Sequence, residues 1–175
     1  MNTTLSLTVV FCILVLPLTA CMPGFGEDAG PEYVETYYID APNGFAIGYP
    51  AAWGKEKRAG SVIWHPPPGS EAEAEVMAKV TSFSPSDVPG GYDRMLSDFT
   101  AAHPGFVLAS KEQRAGEEEG PALRVLGRTP SRAILALFIT SRLGAFIVEF
   151  SAPPQRFDSY RPIFEEMADS FRVLD

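Results

Sequence analysis

Ile134-Leu135-Ala136-Leu137-Phe138-Ile139-Thr140 is apolar at both parities, broken only by its final threonine. A strand of this kind has no side to give to water, so it belongs at the centre of a sheet covered on both faces. Other stretches supply strands with one dry side. Phe45-Ala46-Ile47-Gly48-Tyr49 places Phe45, Ile47 and Tyr49 on one face, and residues 75–82 turn Val76, Ala78 and Val80 inward. Residues 145–151 set Phe146, Val148 and Phe150 against Ile147 and Glu149. Period-two patterning is the sign of half-buried antiparallel strands.

The remaining elements fill out an α+β chain. Residues 34–39 are β-branched and aromatic, followed by a turn at Ala41-Pro42-Asn43-Gly44. Pro50 ends the next strand, and Ala51-Ala52-Trp53 makes a compact corner. Residues 61–65 form a short strand stopped by Pro66, Pro67 and Pro68, and residues 106–112 and 122–128 form two more. Tyr92, Met95, Leu96 and Phe99 recur at helical spacing and are closed by Pro104-Gly105. A second helical stripe runs through Phe157, Tyr160, Ile163, Phe164, Met167 and Phe171, with Asp158 as the expected N-cap and Pro162 in the first turn. The expectation is an antiparallel sheet of about six to eight strands flanked by helices.

Ahead of this domain, residues 5–16 are almost wholly apolar and no charged side chain occurs before Glu27. The run is shorter than the ~20 residues a spanning helix needs, and it fits the core of a secretory signal. Leu18-Thr19-Ala20-Cys21 follows Pro17 directly and resembles the bacterial lipobox, in which the cysteine becomes the lipidated N-terminus. The expectation is therefore a signal peptide over residues 1–20, cleavage between Ala20 and Cys21, and acyl chains on Cys21. A Gly- and Pro-rich tether over residues 21–31 would then lead to a domain at 32–175. The amino-terminal Met1-Asn2-Thr3-Thr4 carries no Lys or Arg, a departure from the usual signal.

Charge and cysteine agree with an extracytoplasmic site. Cys12 leaves with the signal and Cys21 is taken by lipid, so the mature chain would hold no thiol to oxidise. The net charge of −8 lies entirely in the mature part, without a basic cluster to neutralise phosphates, so nucleic acid is not an expected partner.

The opening Gly44-Phe45-Ala46-Ile47-Gly48-Tyr49-Pro50-Ala51-Ala52-Trp53, with Phe157-Asp158-Ser159-Tyr160-Arg161-Pro162-Ile163-Phe164 and Asp169-Ser170-Phe171-Arg172 near the end, resembles the PsbP-like superfamily, including DcrB-related bacterial lipoproteins. The resemblance spans nearly the whole mature chain. It implies a PsbP-like αβα sandwich. It implies no particular task, because that fold serves photosystem extrinsic subunits, an import factor and envelope lipoproteins alike.

Candidate chemistry is sparse. His65 and His103 each neighbour a proline at an element end, with no ligand-spaced partner, and read as exposed loop histidines. Glu117-Glu118-Glu119 between Gly116 and Gly120 reads as a solvated hairpin tip, with weak divalent-cation binding as the alternative. Glu71, Glu73 and Glu75 fall on one side of an extended segment if the strand begins that early. Trp53 and Trp64, with Tyr49, are a possible contact surface, although alternating aromatics mostly build interiors. No nucleophile elbow, Walker loop or dinucleotide fingerprint occurs, and no catalytic residue, metal or cofactor is expected.

The expectation for function is a non-enzymatic, lipid-anchored envelope module that binds or scaffolds another envelope protein. The alternative is a small-ligand or metal carrier. In a two-membrane bacterium Met22, which is not aspartate, points to the outer membrane.

Overall fold

The structure is a computed structural model that describes residues 35–84, 91–116, 120–142 and 144–174. The expected signal peptide, the lipobox-like residues 18–21, the expected tether and the expected tip at Glu117-Glu118-Glu119 lie outside the described residues.

Among the described residues ten strands form two sheets, accompanied by two α-helices and a 3-10 turn at Ala41–Asn43. β1 (Glu35–Asp40), β2 (Phe45–Pro50) and β10 (Arg172–Val173) form a small sheet in the order β1-β2-β10. The large sheet runs β3-β4-β5-β9-β8-β7-β6, built from β3 (Gly54–Arg58), β4 (Ser61–His65), β5 (Met77–Phe83), β6 (Val107–Gly116), β7 (Gly120–Arg128), β8 (Ala133–Ser141) and β9 (Gly144–Ala152). Every neighbouring pair is antiparallel.

β8 sits where its pattern requires. Its residues 134–139 are all buried, and the two parities enter two different cores. Leu135, Leu137 and Ile139 join Phe146, Val148 and Phe150 of β9 beneath α2 (Pro154–Ser170), which contributes Phe157, Phe164 and Met167. Ile134, Ala136 and Phe138 pack with Leu123 and Val125 of β7 beneath Met95 and Phe99 of α1 (Tyr92–Ala102). One helix covers each face, so the layers are helix, sheet, helix.

The small sheet closes the α2 side. Phe45 stacks on Phe171 at 5.7 Å and 16° and meets Phe146 edge-on at 5.9 Å. Where β10 runs out, Ser170 takes over the edge of β2. Its Oγ accepts the Gly48 N–H at 2.8 Å, and its hydroxyl hydrogen has the Met167 carbonyl at 2.8 Å to donate to. A Cβ on Gly48 would displace the flexible Glu35 carboxylate and crowd the Ser170 Oγ at 3.1 Å, so a small residue suits this close approach. The Ser-Phe-Arg ending and the Gly-Phe-x-Ile-x-Tyr opening are thus two sides of one joint.

Five sequence expectations change. Lys55-Glu56-Lys57-Arg58 lies in a strand, β3, that was not expected, and Arg172 with Val173 adds β10. Residues 67–76 are successive tight turns, not an early start to β5, so Glu71, Glu73 and Glu75 share no strand face. The N-cap of α2 is Pro153, with Pro154 at the first helical position, where a missing N–H costs least. Asp158 is therefore inside the helix, and Pro162 lies mid-helix, beyond the first turn.

Candidate functional site

The charged side chains that sequence spacing singled out are distributed among local structural bonds. Arg156 on α2 reaches Glu71 at 3.1 Å and Glu75 at 3.0 Å, while Glu73 accepts the Gly69 N–H at 2.6 Å. Among the described residues no group of three or more His, Cys, Asp or Glu side chains is placed to hold a metal ion.

His103 is not an exposed loop residue. It caps the C-terminal end of α1, half-buried, with its ring 4.1 Å from that of Phe99. Nδ1 lies 2.8 Å from the Phe99 carbonyl, and Nε2 lies 3.2 Å from the carboxylate of Glu149, a residue 7% exposed on β9. Both partners are acceptors only, so the doubly protonated ring satisfies both. The Glu149 hydrogen bond raises the His103 pKa above its ordinary value; burial and Lys79 oppose it, and the Phe99 carbonyl helps it. His65, at the end of β4, has Nδ1 3.4 Å from the Val76 carbonyl.

Trp53 is 5% exposed and Trp64 fully enclosed, so neither ring is on the surface and neither forms a contact surface. Trp64 meets Tyr38 edge-on at 5.6 Å and Tyr49 at 5.7 Å. The two sheets are pinned beside it. Buried Asp40 accepts from the Tyr38 hydroxyl at 3.0 Å, from the Asn43 N–H at 3.3 Å and from Lys57 at 3.2 Å, while Lys55 stands 4.4 Å over the Tyr38 ring. Burial pushes the Asp40 carboxyl upward, but these hydrogen bonds outweigh it and hold it below its ordinary value.

A shallow, open groove of about 330 Å³ lies between the start of α1 and β6, lined by Tyr92, Asp93, Lys111, Gln113 and Leu123. Its two charged groups pair with each other, Lys111 to Asp93 at 3.0 Å, and Tyr92 shares a hydrogen bond of 3.0 Å with Thr140. A small ligand favours an enclosed pocket with convergent polar groups, whereas this groove is open and its charged pair is already joined.

The surface best suited to contact is the outer edge of β6. This ten-residue strand ends the large sheet, and no described strand pairs with its far side. Residues 107–113 are all exposed; Val107 is 58% and Leu108 45% accessible. A register shift between Leu108 and Ser110 bends the strand there. The edge was not singled out in the sequence, where residues 106–112 read as one strand among eight.

No family profile matches the chain, and no curated protein matches it. Solved structures do. The cyanobacterial PsbP (CyanoP) of Synechocystis sp. PCC 6803 aligns over 90% of this chain and 99% of its own, at 22% identity and a TM-score of 0.63. A Pseudomonas aeruginosa protein of unknown function, PA94, aligns over 78% and 94% at 16% identity and a TM-score of 0.51. At these identities the likeness is one of fold, and the fold is PsbP-like.

Proposed function

We propose that this PsbP-like domain is a non-enzymatic envelope module, moored to the outer side of a membrane by lipid on Cys21, that grips another envelope protein along β6. The observation that carries the contact is a long, solvent-facing edge strand bearing two apolar side chains at its start. An open edge offers a row of backbone donors and acceptors to an extended segment of a partner, which adds as a further strand. Lys111 and Glu112, both exposed, discourage indiscriminate pairing, so a partner must match their charges.

Mooring is supported by the lipobox at residues 18–21 behind a short apolar run. Among the described residues no helix is long and apolar enough to cross a membrane. Several acyl chains at ~0.8 kcal/mol per buried methylene make a lasting anchor.

Photo-crosslinking tests the contact. A photoreactive side chain at position 107 or 108, irradiated in the protein's own membrane, is expected to trap one discrete protein adduct, and the same group at Glu56 on β3 is not. Equal labelling at both edges, or no protein adduct from β6, would remove the partner reading and favour a carrier that uses the groove beside α1.

A further inference from the structure

The small sheet shows a second exposed surface, of different chemistry. Register and strand alternation put Glu35, Tyr37 and Ile39 of β1 on its outer face, across from Gly48 and Ala46 of β2, with Arg172 of β10 opposite Ala46. Tyr37 is 62% and Ile39 65% exposed, and the small residues beside them leave both side chains standing proud. Glu35, two residues before Tyr37 on the same face, raises the Tyr37 hydroxyl's pKa above its ordinary value. Cations border the strand: Lys57 reaches Asp40 at its far end, and Lys55 lies over Tyr38 on its other face.

We propose that this face of β1 seats on the headgroup region of the bilayer that holds the Cys21 lipid. The inference rests on the lipid-anchor reading above and adds an orientation to it. Only residues 22–34 separate Cys21 from β1, and a flexible chain of that length reaches roughly 20 Å on average. Tyr37 and Ile39 fall within the first five residues of β1, no more than ~15 Å along the strand from where the tether joins it. Once the lipid is inserted, contact between this face and the surface is intramolecular, so a weak preference is enough to populate it.

The chemistry suits the place. A tyrosine ring with its hydroxyl favours the boundary between acyl chains and water, and an isoleucine beside it adds apolar area. Arg172, opposite Ala46 on this face, is the cation placed to meet a lipid phosphate, whereas Lys55 and Lys57 are engaged by Tyr38 and Asp40 on the strand's other face. The net charge of −8, with Glu35 on this same face, gives the seat no help, so Tyr37 and Ile39 must carry it. A second copy of the chain, equally acidic, is the poorer occupant. With β1 against the bilayer and β3 linked to it through Lys57 and Asp40, six strand spacings of ~4.8 Å carry β6 about 29 Å across the sheet from β3. The edge proposed to bind protein and the face proposed to meet lipid are therefore separate surfaces.

Depth-dependent quenching tests the seat. The full lipidated chain, as Tyr37→Trp or as Leu108→Trp, is reconstituted into phosphatidylcholine–phosphatidylglycerol vesicles with brominated acyl chains. Emission is read as a difference from the parent, since Trp53 and Trp64 are buried. The indole at position 37 is expected to be quenched several-fold more strongly than the one at 108. If the protein floats with the vesicles and the two positions quench alike, the seat is wrong and the anchor stands. If the protein does not float with them, the anchor reading fails and the seat falls with it. Blue-shifted emission from position 37 before vesicles are added would mean that the tether or a second copy covers the face, which also overturns the proposal.

Discussion

At the scale of single residues, the most informative side chain is His103. Its two ring nitrogens face a carbonyl and a carboxylate, and the Glu149 hydrogen bond raises its pKa above the ordinary 6.5. A raised folded value means that the bond's contribution is fully present below about pH 6.5 and is lost as pH rises through the higher folded value. Urea midpoints taken from about pH 5 to about pH 9 should fall with rising pH in the parent and fall less in His103→Gln. Equal slopes in both would show that folding leaves the ring's affinity for its proton unchanged, which contradicts the raised value. Lys79 is the cross-strand neighbour of Glu149 and the cation that opposes the shift, so Lys79→Met should steepen the effect. None of this was legible in the sequence, since His103 and Glu149 stand 46 positions apart and only the packing of α1 on β9 joins them.

Among the elements, α2 is the one that departs most from its own propensity. Pro162 lies in the helix interior on the solvent side, where it removes the N–H that would bond the Asp158 carbonyl. Buried Phe157, Ile163, Phe164 and Met167 hold the helix in place despite it. Because the proline is exposed, Pro162→Ala restores a hydrogen bond without opening a cavity, and it should stabilise the domain by about 1–3 kcal/mol. A melting temperature unchanged or lowered would show that the proline costs the helix nothing at this position. Elements with strong side-chain patterns were legible. β8, apolar at both parities, had to be central, and α1 announced itself through Tyr92, Met95, Leu96 and Phe99. β3 was not legible, because Lys55-Glu56-Lys57-Arg58 carries no apolar period and becomes a strand through backbone pairing with β4 and the Lys57 bond to Asp40. The start of α2 was misplaced because Pro153-Pro154 reads as a breaker, although proline is at home in a helix's first turn.

For the whole molecule, the two proposals fall at two ends. The end nearest the proposed tether carries Tyr37, Ile39 and Arg172; the opposite end of the large sheet carries the edge of β6, which no described strand pairs. The fold itself, PsbP-like, was legible from the joint between residues 44–53 and residues 169–172. The β6 edge was not, because whether a strand is paired on one side or two depends on sheet order, which alternation does not encode. Everything proposed for these two ends presumes a body tied to a membrane at one point just before β1. Intact-mass analysis of the protein extracted from its native membranes examines that point most directly. The account predicts a mature chain beginning at Cys21 and heavier than its amino acids by a glyceryl group and fatty acyl chains. A mature chain that begins at Cys21 without added mass, or one that retains Met1, would contradict it.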